Sequence, residues 1–161
     1  NTLINKLSKA TSVIYRNYKK DLNINEIIKI KKACNIRGIK FYLSNNIKLA
    51  IKLNLDGAYI PSFNKELNLN YYNFKQKFKL LGSAHNIKEI RLKELQNVDC
   101  IFLSPLFSSQ KNKRGLGIYK FLNLMKKTKK KVVCLGGIKN KNLKIIKLLK
   151  CHGMASISFF K

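Results

Sequence analysis

The sequence predicts an α/β fold on parallel strands, namely a TIM (β/α)8 barrel that lacks, or does not show, its first strand. Three observations predict it. Short apolar runs, several of them β-branched or aromatic, alternate with longer segments whose apolar residues recur at three- and four-residue spacing. Seven such runs occur, and a helical segment rather than a strand opens the chain. Strand–helix alternation demands parallel pairing, because a parallel neighbour is reached only through a crossover. A doubly wound open sheet shares that alternation, and periodicity alone does not separate the two.

In chain order, residues 1–10 read as helix and 12–15, Ser-Val-Ile-Tyr, as the first strand. Residues 25–35 are the clearest helix, with Ile27, Ile28, Ile30 and Ala33 on one stripe. Strand 39–43, helix 46–54 and strand 57–60 follow. Residues 64–77 are helical only in part, and 78–81 form the next strand. Helix 87–96, strand 100–103 and helix 118–128 come after it. The lysine run 126–131, broken by Thr128, closes that helix, where cations complement the macrodipole. Strand 131–135, helix 142–151 and strand 154–158 complete the chain.

With 161 residues and 45% hydrophobic content, residues 1–161 suit a single domain with a real core. No apolar run approaches the ~18 residues of a membrane-spanning helix, so no membrane partner is expected. The 34 Lys and Arg against 7 Asp and Glu give a formal charge of +27. Such a charge invites nucleic acid as a partner. However, Arg16, Arg37, Arg91 and Arg114 are the only arginines, and the lysines are spread from end to end. Lys, Asn and Ile are what AT-rich coding favours, so base composition is the preferred explanation and nucleic acid the lesser one. Anionic small molecules are natural ligands either way. Cys34, Cys100, Cys134 and Cys151 form no C-x-x-C pair, which fits a reducing, cytoplasmic compartment. A removed leader or a trimmed start before Asn1 is left open, and a homo-oligomer is compatible with the sequence.

In both architectures ligands sit at the carboxyl ends of the strands. The residues expected there are Arg16 and Asn17; Ser44, Asn45 and Asn46; Pro61 and Ser62; Ser83, Ala84 and His85; Ser104 and Pro105; Gly136 and Gly137; Ser156 and Ser158. They form a ring of small hydrogen-bonding groups with one Arg and one His. Helix capping explains any single Ser or Asn as well. Gly136-Gly137 after a strand lets main-chain amides approach a phosphate, and the following helix start adds positive potential. In barrels that phosphate lies between the last two units, which places Gly136 and Gly137 beside Ser156 and Ser158. The loop 108–117 is hydroxyl-rich, cationic and suited to a lid, though a solvated basic loop reads the same way. His85 can donate to an anion or move a proton. His152 reads as structural, and no zinc spacing occurs. None of the seven acids falls just after a strand, so a protein-held Mg²⁺ is not supported.

Six segments in order, V-I-Y-R (13–16), L-D-G-A-Y-I-P (55–61), G-S-A-H (82–85), L-S-P-L-F-S-S (103–109), L-G-G-I (135–138) and S-I-S (156–158), resemble the thiamine phosphate synthase/TenI family over residues 12–158. The resemblance implies a (β/α)8 fold. It also implies joining of a thiazole phosphate to a hydroxymethylpyrimidine diphosphate, with release of pyrophosphate. Gly136, Gly137, Ile157 and Ser158 would then hold the thiazole phosphate. Arg16, Ser83, His85 and Lys111 would be catalytic, and Asn45, Asn46, Ser104, Ser108 and Ser109 would contact substrate. Departures from the family pattern are several. Its Asn-Asp pair is Asn45-Asn46, its second Mg²⁺-binding Asp is matched by Asn64, and its Q-x-R-x-K reads Ile14 to Tyr18. The His that TenI proteins use after strand six is replaced by Ser104-Pro105. Mg²⁺ is expected of the family, yet its carboxylate ligands are absent here, so no cofactor is assigned. In a divergent synthase Lys111, Lys113 or Arg114 would supply the missing positive charge. The alternative is a protein that binds thiazole phosphate or thiamine phosphate without joining anything.

Overall fold

A computed structural model describes residues 2–18, 22–108 and 114–159. The strands are β1 (Ser12–Tyr15), β2 (Lys40–Ser44), β3 (Gly57–Ile60), β4 (Lys79–Ala84), β5 (Cys100–Leu103), β6 (Lys131–Leu135) and β7 (Gly153–Ala155). They form one seven-stranded sheet in sequence order, parallel throughout. A doubly wound sheet reverses its strand order at a switch point, and no reversal occurs here.

Side-chain alternation shows that the sheet curls. One set of strand residues, including Phe41, Leu43, Ala58, Ile60, Ile101 and Leu103, packs into a large core with helix residues such as Ile27, Ile90 and Phe121. The alternate set forms a second cluster of Tyr59, Cys100, Phe102 and Val133, against which Ile14, Leu81, Leu135 and Ala155 pack. Ile14 lies on β1 and Ala155 on β7. In a flat sheet those strands would stand about 29 Å apart, at about 4.8 Å per step. Among the described residues no helix residue joins this second cluster, yet its four core members are buried, so the sheet itself wraps around them as a barrel wall.

The helices are α1 (Thr2–Lys6), α2 (Ile24–Arg37), α3 (Ile47–Lys52), α4 (Ile87–Leu95), α5 (Gly117–Met125) and α6 (Leu143–Leu148), with 3₁₀ turns at Asn68–Tyr71 and Asn140–Asn142. Asparagine starts three of them. The Asn23, Asn46 and Asn86 side-chain oxygens accept from the amides of Glu26, Leu49 and Glu89 at 3.0–3.1 Å. Gly38, at φ 64°, ends α2 in the left-handed conformation.

Several expected boundaries move. β2 and β4 run on through Ser44 and Ala84, because Ser44 pairs with Tyr59 and Ser83 with Phe102. An apolar-run rule stops too early there, since both serines are polar yet point into the wall's buried side. The last strand is Gly153–Ala155 rather than 154–158. The opening helix is only Thr2–Lys6, and the expected helix 142–151 is a 3₁₀ turn followed by six α-helical residues. Among the described residues no helix is long and apolar enough to cross a membrane.

Candidate functional site

Two groups of side chains meet the carboxyl ends of the strands. The first belongs to β1 to β4. Arg16 follows β1, and its guanidinium carbon lies 5.6 Å from the Tyr18 ring centroid and 5.9 Å from that of Tyr59. Tyr59, on β3, meets Phe102 of β5 edge-on at 5.5 Å. Burial pushes the Tyr59 phenol's pKa up, opposed by its hydrogen bond with Ser83 and by the Arg16 charge. Ser83 is thus a buried strand residue beneath Arg16, rather than a loop residue beyond β4.

His85 stands just past β4. Its amide donates to Glu89 Oε2, and its Nδ1 meets the same oxygen, both at 2.8 Å. A carboxylate only accepts, so Nδ1 carries the proton and Nε2 is the ring atom left for a ligand. Acids thus stand near this mouth in the first turns of helices, although none directly follows a strand. Glu89 sits in the first turn of α4, and Glu26, in the first turn of α2, accepts from Tyr15 Oη at 2.6 Å. The spacings Asn86-x-x-Glu89 and Asn23-x-x-Glu26 carry that signal in the sequence, as capping patterns rather than strand ends.

Asn45 and Asn64 also meet here. Asn64 Nδ2 donates to Asn45 Oδ1 at 2.8 Å, while Asn64 Oδ1 accepts from the Glu66 amide at 3.0 Å. Asn46 Oδ1 is taken by the α3 cap. Asn46 and Asn64, which stand where metal carboxylates were expected, are neutral amides, and their oxygens, like that of Asn45, are committed to protein donors. They do not fit a Mg²⁺ site, and among the described residues no group of three or more His, Cys, Asp or Glu is arranged to hold a metal ion.

The 61–66 segment bearing Asn64 is pinned from below. Lys93, fully buried on α4, donates from Nζ to Pro61 O at 2.9 Å, Asn64 O at 3.0 Å and Gln96 Oε1 at 2.7 Å. Gln96 Nε2 donates to Asn64 O at 3.1 Å and Glu66 O at 2.8 Å. Burial lowers the Lys93 pKa to about 8, opposed by the Glu89 charge. Gly82 leaves the room, since a Cβ there would lie 2.9 Å from Lys93 Cδ. Sequence reading missed this pair, because Lys93 and Gln96 look like the solvated face of an amphipathic helix.

The second group surrounds Gly136 and Gly137, at φ 98° and 66°. β6 and β7 end side by side, Leu135 opposite Ala155, so the glycine turn and residues 156–158 leave adjacent strands. Among the described residues the Gly136 and Gly137 amides donate to no protein acceptor. Their carbonyls are used: Phe107 N donates to Gly136 O at 3.1 Å, and Asn142 Nδ2 to Gly137 O at 3.0 Å. Asn142 Oδ1 also accepts from Lys139 N at 2.9 Å, so one buried amide staples the turn.

Three expectations change in this half. No helix start follows the glycines directly, because α6 begins only at Leu143 and is six residues long. Ser156 Oγ accepts from Phe159 N at 3.1 Å and so acts as a local cap. Ile157 and Ser158 are exposed. The loop after β5 is tied at its base, with Leu106 N on Leu135 O, Leu116 N on Pro105 O and Gly117 N on Leu106 O. Ser104 is buried and donates its amide to Ala84 O at 3.0 Å, and Ser108 is exposed. Ser109, Lys111 and Lys113 lie outside the described residues.

Comparison with known proteins adds sequence to geometry. The family profile described as thiamine monophosphate synthase matches residues 3–160. A thiamine-phosphate synthase of Pelagibacter ubique is 30% identical over 157 residues, covering 92% of this chain and 74% of that protein. Thiamine-phosphate synthase 1 of Streptococcus pneumoniae strain R6 is 28% identical, covering 81% of this chain; the match spans 64% of that relative's length. In structure, thiamine phosphate pyrophosphorylase from Pyrococcus furiosus superposes with a TM-score of 0.73 at 16% identity, covering 92% of this chain and 72% of that one. That last likeness concerns the fold.

Proposed function

We propose a function from the premise that this chain belongs to the thiamine monophosphate synthase family. It joins a thiazole phosphate to a hydroxymethylpyrimidine diphosphate. The carbon–oxygen bond to the diphosphate breaks, its electron pair leaves with pyrophosphate, and the lone pair of the thiazole nitrogen forms the new bond to that carbon.

The observation that carries this reading is the Gly136–Gly137 turn, two left-handed glycines beside the end of β7 with amides that no described protein group accepts from. Such amides suit a phosphate. The Arg16 half of the mouth suits the other substrate. A guanidinium over Tyr18 and Tyr59 meets the leaving diphosphate, whose growing charge fixed donors stabilise. His85, oriented by Glu89 through Nδ1 just past β4, keeps Nε2 for a ligand. Holding both substrates in register converts a bimolecular encounter into a local one. Because Asn45, Asn46 and Asn64 offer no free carboxylate, the diphosphate charge is met by cations of this chain, and no step is assigned to protein-held Mg²⁺.

The test is an incubation of purified protein with both precursors, with Mg²⁺ in one arm and a chelator in the other. Thiamine phosphate and pyrophosphate are expected in both arms. Thiamine phosphate in neither arm refutes the joining reading. The committed Asn45–Asn64 amides favour a second role, binding of thiamine phosphate without turnover. Calorimetric heat with thiamine phosphate, in a protein that makes none, selects that role.

A further inference from the structure

Arg16 is the one guanidinium just past a strand at this mouth, and its position is set by a residue that the reaction does not otherwise require. Arg16 Nε donates to Tyr18 Oη at 3.2 Å. The same phenol oxygen accepts from Ser44 Oγ at 3.1 Å, and Ser44 is a buried residue of β2. The Tyr18 ring also meets the Phe63 ring edge-on, with centroids 5.3 Å apart. Tyr18 is 46% exposed and Phe63 59% exposed, so neither is held by burial in a core. Three directed contacts hold Tyr18 instead: a hydroxyl from the neighbouring strand, a ring from the loop after β3, and the guanidinium itself.

An arginine side chain has many rotamers, and a ligand that must order it loses affinity in doing so. Engaging Nε on one side and stacking the plane near Tyr59 leaves Nη1 and Nη2, the fork that grips an oxyanion through two bonds. Among the described residues neither Nη donates to a protein acceptor. We infer that Tyr18 is a positioning residue that pre-sets the Arg16 fork for a diphosphate, with Ser44 and Phe63 as its supports. This rests on the reading above that Arg16 faces the diphosphate.

The experiment is a double-mutant cycle read by calorimetric titration with inorganic pyrophosphate, on wild type, Y18F, R16Q and R16Q/Y18F. Y18F keeps the ring against Phe63 and removes only the hydroxyl. It is expected to weaken pyrophosphate binding by about threefold to tenfold, the effect of one lost hydrogen bond. R16Q is expected to weaken it by tenfold or more, and the double variant no further than R16Q. In the joining assay Y18F raises KM for the pyrimidine diphosphate and leaves KM for the thiazole phosphate unchanged. Ser44→Ala removes the tie from the other side. It is expected to reproduce part of the Y18F loss, and decides the matter if Y18F fails to fold. Wild-type affinity in Y18F beside a weakened R16Q overturns the role of Tyr18 and leaves that of Arg16 standing. A Y18F loss that persists in full on the R16Q background also overturns it, because Tyr18 would then act without Arg16. Unchanged affinity in R16Q removes the anion from Arg16, and both readings fall together.

Discussion

Lys93 gives the sharpest test of how this fold is assembled. It is a fully buried ammonium that donates to Pro61 O, Asn64 O and Gln96 Oε1, and burial brings its pKa from an ordinary 10.5 to about 8. Below pH 8 both the folded and unfolded chains carry the proton, and the cost of burying the charge is borne in full. Between about 8 and 10.5 the unfolded chain holds a proton that the folded one has released, so stability rises with pH. Above 10.5 neither is charged and the cost has vanished. At 1.36 kcal/mol for each tenfold change in proton affinity, the whole cost is about 3.4 kcal/mol. Roughly 1.3 kcal/mol of it is relieved between pH 7 and pH 9. Lys93→Met keeps the length of the side chain and removes the titration. Urea unfolding of both proteins at pH 7 and pH 9 then isolates the effect, since every other titrating group is common to the two. The wild type is expected to gain about 1.3 kcal/mol more than the variant on going to pH 9. Equal gains in the two proteins would refute a lysine that titrates in that window, and with it the buried-tether account of the 61–66 segment.

Gly137→Ala is expected to cost about 2 kcal/mol or more in urea unfolding. Its φ of 66° disfavours a side chain, and its Cβ would lie 2.6 Å from both Phe107 O and Ser108 O. The substitution therefore reports on docking of the loop after β5, and a stability equal to wild type would contradict this packing. Asn142→Ala removes two hydrogen bonds from a buried amide, so a loss of about 2 kcal/mol is expected, together with weaker phosphate binding by calorimetry. Thiol labelling of the native protein should modify Cys151 first. A hydrogen bond from Cys134 lowers the Cys151 pKa, burial raises that of Cys34 and brings that of Cys100 up to about 11, and that of Cys134 is raised by its bond to Cys151 and by burial. Mass spectrometry that found Cys34 or Cys100 labelled before Cys151 would contradict that order.

Much of the wall was legible because its rules are local. The runs at Ser12–Tyr15, Gly57–Ile60, Cys100–Leu103 and Lys131–Leu135 coincide with strands, since a buried parallel strand must be apolar on both faces. β2 and β4 ran past their expected ends because Ser44 and Ser83 are strand residues with polar partners inside the wall. The site divides in the same way. Arg16, Ser83, His85 and the glycine pair stood out by residue type and place, and the structure sets the first three around one mouth. Tyr18, Glu89, Lys93 and Asn142 did not stand out, because each acts through a partner far off in sequence or one helical turn away.

The sequence by itself determined the alternation, the parallel pairing and the spans of four of the strands, because hydrophobic periodicity and crossover geometry act within a few residues. Local periodicity left curled and flat sheets open, and the tertiary structure decided for the curled sheet that the family resemblance implied. It also decided that a buried lysine holds the loop carrying Asn64, and that the loop after β5 docks on Gly137. Those outcomes depend on contacts between residues about 30 or more apart along the chain, which no local pattern of residue types records.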